Sequence, residues 1–164
     1  MTLINRLLKE FDQEADITRK MLSIVPDDKY DWKPHAKSMN IRTLATHIAD
    51  IPYWVTLGVE TDELDFNNAY AIPTINNTKD LLELFESKYA SGRKSLENAD
   101  ESKFEEIWTM RQGETIFVQC TRYEMIRVSF SQTIHHRAQL GVFLRLNDIP
   151  IPGSYGPSAD EMSF

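Results

Sequence analysis

Cysteine is almost missing from this chain. Cys120 is the only one in 164 residues, so no internal disulfide can form and a reducing, intracellular setting is expected. Long apolar runs are missing too, and no stretch reaches the length needed to cross a bilayer. The first residues, Met1 to Arg6, run straight into charge and lack the apolar core of a signal peptide. The expectation is a soluble cytoplasmic protein. Positive charge is scarce: 18 Lys and Arg stand against 25 Asp and Glu, for a net charge of −7. With no basic cluster to meet phosphates, a nucleic-acid partner is not expected. Neither a glycine-rich phosphate loop nor a nucleophile elbow occurs, which argues against nucleotide chemistry and a serine hydrolase.

What is present is helical periodicity. Ile4, Leu8, Phe11, Ala15, Thr18, Leu22 and Val25 recur at spacings of four and three, with Thr2 as N-cap and Pro26 as terminator. Lys9, Glu10, Asp12, Glu14 and Asp16 fall off this stripe and read as a solvated face. A second stripe, Ile41, Leu44, Ile48, Ile51 and Val55, follows a cap at Ser38 or Asn40, and Pro52 inside it predicts a kink or break. Residues 61–77 form a long polar connection. Thr78 is the expected cap of a third helix carrying Leu82, Phe85, Tyr89 and Leu96. Two short runs, Ile107–Met110 and Thr115–Val118, flank Arg111-Gln112-Gly113-Glu114 and read as a hairpin or extended excursion. The fourth helix runs from Thr121 or Arg122 to about Leu146. The tail, with Pro150, Pro152 and Pro157, cannot be helical and is expected to run back over the surface. The pattern has no internal repeat and no domain boundary. It predicts one all-α domain over residues 1–164, a four-helix bundle.

Three of the four histidines fall in these helices: His47 in the second, His135 and His136 in the fourth. At 100° per residue, His136 shares a face with Ser129, Gln132 and Leu140, while His135 turns away with Val128 and Val142. Positions 132 and 136 are one turn apart on one face, so they and His47 can surround a common point and leave an open coordination position. A lone histidine on an apolar helix is more often a hydrogen-bonded core residue than a ligand. Cys120 has no motif around it, Trp32, Trp54 and Trp108 read as core, and His35 reads as a loop residue. The carboxylates, Glu114 and Glu124 among them, show no paired spacing and read as solvated.

The chain resembles the DinB family (DinB/YfiT-like metalloenzymes) over nearly its whole length. The resemblance rests on Asp31-Trp32-Lys33-Pro34-His35-Ala36-Lys37-Ser38, Leu44-Ala45-Thr46-His47-Ile48-Ala49, Ile134-His135-His136-Arg137-Ala138-Gln139-Leu140, and the tail from Ile149 to Glu161. It implies an up-down-down-up four-helix bundle with a long crossover between helices two and three and an extended C-terminal tail. It also implies a homodimer and a three-histidine site for a divalent metal such as zinc or nickel. Some members are thiol-dependent transferases or metal-dependent hydrolases, which implies a small-molecule thiol or electrophile as substrate. The ligand positions correspond to His47, Gln132 and His136, and here Gln132 stands where the family usually has histidine. An amide oxygen is a neutral, weaker donor that suits harder ions better than zinc. Gln139 and Asp50 lie within a turn of the histidines and are the candidates to orient them. The competing expectation is a non-catalytic, small-ligand-binding or stress-related dimeric bundle in which the metal site has degenerated.

Overall fold

The computed structural model describes residues 2–162. Its first helix, α1 (Leu3–Ser23), begins where the Thr2 hydroxyl accepts the Asn5 N–H at 3.2 Å, and it buries Leu7, Phe11, Ala15, Thr18 and Leu22. Next, α2 (Ile41–Asp50) is capped by Asn40, whose side-chain oxygen accepts the Thr43 N–H at 2.9 Å. Proline then decides the geometry. Pro52 has no N–H to continue the ladder, so the predicted second helix divides into α2 and α3 (Tyr53–Glu60), with Pro52 at the cap of the second piece.

Helix α4 (Thr78–Glu97) is capped by Asn77, one residue before the expected Thr78, through the Asp80 N–H at 2.8 Å. Thr78 instead donates its hydroxyl to the Val25 carbonyl, tying the start of α4 to the end of α1. Helix α5 (Arg122–Arg145) opens on a full capping box. The Thr121 hydroxyl accepts the Glu124 N–H at 3.1 Å, and the Glu124 carboxylate accepts the Thr121 N–H at 2.7 Å. Glu124 is therefore a structural carboxylate rather than a merely solvated one.

The all-α expectation is wrong. Among the described residues five α-helices are joined by a three-stranded mixed sheet, so the molecule is not a pure four-helix bundle. The expected excursion is a hairpin of β2 (Ile107–Gln112) and β3 (Thr115–Thr121), and Gly113 takes the positive φ (54°) of its turn. A third strand, β1 (Glu63–Asp65), pairs in parallel with β2 from within the long connection after α3. Three residues with two carboxylates carry no strand pattern of their own. Long-range contacts recruit them: Arg111 donates to both Glu63 oxygens at 2.8 and 2.6 Å, and Asp65 accepts the Gly113 N–H at 3.1 Å.

The core lies between α1, α2, α4 and α5, where Leu22, Ile41, Leu44, Ile48, Leu81, Phe85, Leu140 and Leu144 are buried together. A second cluster joins Phe11, Val55, Leu96, Ile126 and Phe130. The sheet is fixed to the helices by Trp108, fully buried against Leu57 and Met125. One residue assigned to the solvated face of α1 is not solvated. Glu14 is buried and faces Arg137 of α5 at 2.7 Å, with Tyr155 of the tail donating its hydroxyl to the same carboxylate. The tail does run back over the helices, and this contact holds it there.

Candidate functional site

Helices α2 and α5 bring His47 and His136 together. Their ring centroids are 4.6 Å apart and the planes nearly perpendicular, at 77°. Both residues are half-buried. Trp54, just after the Pro52 break, packs its edge against His47 at 5.6 Å. The break therefore gives α3 a direction that sets an aromatic wall beside the imidazole. His136 Nδ1 lies 2.9 Å from the Gln139 side-chain oxygen. An amide oxygen only accepts, so Nδ1 carries the proton and the Nε2 lone pair stays available. Gln139 thus has the orienting position expected of it.

Asp50 does not. One turn after His47 and 1% exposed, it accepts the Tyr70 hydroxyl at 2.5 Å and sits 3.2 Å from the Lys88 ammonium. That ammonium lies over the rings of Tyr53 and Tyr70, at 4.2 and 4.4 Å from their centroids. Burial first, and then the bond to Asp50, push the Tyr70 hydroxyl far above the ordinary tyrosine range. Lys88 and Tyr70 had no signal in the sequence, since one sits on α4 and the other in the polar connection. Only the fold joins them to Asp50.

The imidazole pair opens on a cavity of about 430 Å³. Arg42 and Thr46 of α2 line it with the histidines, and residues 72–75 of the long connection form its other wall. Among the described residues no carboxylate lines it. The His47 pKa is lowered, first by burial, second by the neighbouring His136, with Asp50 opposing. A neutral imidazole is the form that ligates a metal or accepts a proton.

The other candidates behave as bland residues. His135 is exposed, turned away from the cavity although its ring is 4.8 Å from that of His136. In the loop, His35 Nδ1 accepts the Lys37 N–H at 3.1 Å. Burial raises the Cys120 thiol pKa, the direction opposite to activation. Gln132 is half-buried one turn before His136 and is not part of the cavity wall. Among the described residues no group of three His, Cys, Asp or Glu is arranged to hold a metal. The donors brought together at the cavity are the two imidazoles of His47 and His136, a set that fits a divalent ion, held less firmly than by three imidazoles.

Among the described residues no helix is long and apolar enough to cross a membrane. The uncharacterized protein YrdA of Bacillus subtilis (strain 168) is 20% identical over 163 residues, covering 96% of this chain and 91% of that protein. The crystal structure of a DinB-like protein from Bacillus subtilis superposes with a TM-score of 0.68 at 16% identity, over 97% of this chain and 99% of the other. The mycothiol-dependent maleylpyruvate isomerase is more distant, with a TM-score of 0.59 at 12% identity, over 91% of this chain and 65% of that enzyme. At such identities the structural likeness speaks for the fold alone. The DinB family model, however, matches residues 1–163, and the chain belongs to the DinB family.

Proposed function

We propose that this protein is a metal-assisted thiol transferase or hydrolase whose reaction takes place at the His47–His136 pair. The observation that carries this reading is the pair itself, two imidazoles 4.6 Å apart at the wall of a cavity large enough for a small molecule. The structural likeness to a mycothiol-dependent isomerase supports a thiol as one reactant. His47, His136 and the Gln132 amide oxygen would hold the ion. A divalent ion held there would supply Lewis acidity, the chemistry that lowers the pKa of a thiol or water.

The chain's own residues do the rest. Gln139 holds the proton of His136 on Nδ1 and so aims Nε2. Burial favours the neutral form of His47. Trp54 packs against His47, and residues 72–75 form the facing wall of the cavity. The expected homodimer belongs to this proposal as well, tested by sedimentation at micromolar concentration, where a monomer counts against it.

Gln132 favours a second reading, a small-ligand-binding pocket that has lost stoichiometric metal. Elemental analysis of protein purified without a metal-affinity tag separates the two. The enzyme reading expects about one divalent ion per chain, lost in His47→Ala. Metal absent from the wild type and gained by Gln132→His would establish the degenerate site instead. A thiol-transfer assay across common low-molecular-weight thiols then tests the reaction.

A further inference from the structure

The electrostatics of the cavity run against those of the chain. In a molecule of net charge −7, the charged side chain of the wall is that of Arg42, set beside two imidazoles, and among the described residues the wall holds no carboxylate. The remaining wall is largely apolar, with Met39, Ile72, Pro73 and Ile75. Thr46, 9% exposed, lines the same cavity, and its buried hydroxyl oxygen has no hydrogen-bond partner among the described residues. An orphaned buried hydroxyl costs free energy unless something occupies the site beside it.

Arg42 is built to present a guanidinium. Its Nη1 donates to the Ile75 carbonyl at 2.6 Å and to the Asn76 side-chain oxygen at 2.5 Å, which fixes the plane of the group. The Nε and Nη2 side meets only one oxygen of Asp31, at 3.3 and 3.0 Å. Asp31 is 84% exposed, so this contact is screened by water and weak. A ligand carboxylate engaging that side with both oxygens forms the stronger, forked pair.

We infer that the cavity binds a small, mostly apolar molecule bearing a carboxylate, with Arg42 as its anion partner in competition with Asp31 and Thr46 as an added hydrogen-bond partner. This rests on the cavity being the working site, as proposed above, but not on a metal being present.

The test is an NMR titration of the full chain with 4-methylpentanoate and with its neutral isostere 4-methylpentanamide, before and after treatment with a chelator. The acid is expected to bind at the cavity about tenfold more tightly than the amide, with or without chelator. Arg42→Gln should erase that preference, and Thr46→Val should weaken the acid several-fold. Because Arg42→Gln also frees residues 75 and 76, Asp31→Asn is the decisive variant. Removing the competitor should tighten the acid and leave the amide unchanged, an effect that loosening the loop does not give. Equal binding of acid and amide, or no gain in Asp31→Asn, overturns the inference. Acid binding that vanishes with chelator and ignores Arg42→Gln also overturns it, while supporting the metal. Acid binding that survives in metal-free protein upholds it even where elemental analysis defeats the metal reading.

Discussion

Glu14 and Arg137 show how far a single residue can depart from its place in a pattern. On the helical wheel Glu14 adjoins the charged face of α1, yet it is 6% exposed beside an Arg137 that is 3% exposed. Arg137 also donates to the Thr18 hydroxyl at 2.9 Å and the Glu14 carbonyl at 3.2 Å, and Tyr155 completes the network. Removing one partner leaves the other charged and buried. Arg137→Met should therefore cost about 3–5 kcal/mol in denaturant unfolding, whereas Glu14→Leu with Arg137→Met should recover much of the loss. A single variant within 1 kcal/mol of wild type would mean that the pair is not buried in solution. The sequence could place His47 and His136 because each is fixed by its own helix phase. It could not place Glu14, whose burial depends on what lies across the interface.

Elements were legible wherever the signal was local. The cap at Thr2, the choice of Ser38 or Asn40 that falls to Asn40, the break at Pro52 and the limits of α5 follow from side chains within four residues of the feature, while the cap of α4 falls on Asn77, one residue before the expected Thr78. Thr121→Ala should cost about 1 kcal/mol, read as a fall in the unfolding midpoint with the slope unchanged. The meeting of α3 and α4 was not legible. Gly92 lies so close that an added Cβ would fall on the Pro52 carbonyl oxygen, with the Phe11 ring also within 3.1 Å. Gly92→Ala should destabilise by about 1–3 kcal/mol despite the better helix propensity of alanine, and a stabilised variant would mean that the two helices stand further apart. The same gap explains β1, whose strand conformation comes from β2 and Arg111 rather than from Glu63-Leu64-Asp65.

At the scale of the molecule, the tail that follows α5 is tied down by charge as much as by packing. Asp160 pairs with Arg145 and accepts the Ile151 N–H at 3.0 Å, and these hold its pKa below the ordinary 3.8, the Arg145 bond most of all. A carboxylate favoured in its charged form stabilises the docked tail above that ordinary value and loses the effect as pH falls through the lowered one. Tyr155 ring signals should therefore shift toward those of a free tyrosine in mild acid below about pH 4. Asp160→Asn should weaken docking at neutral pH and flatten the change. A tail whose signals ignore both acid and the variant is held by Tyr155 and Glu14 instead.

The connection over the cavity is anchored at two points. Tyr70 is bound to Asp50, while the Ile75 carbonyl is held by Arg42, and the residues between them have no regular structure. Such an arrangement is a span held on two posts rather than a loose strand. The amides of Ala71, Ile72 and Thr74 should exchange with deuterium rapidly while those of α2 and α4 stay protected. Lys88→Met, by disturbing one post, should spread fast exchange back toward β1 without touching α5. The route by which a small molecule enters would then be set by a lysine with no place in the cavity wall.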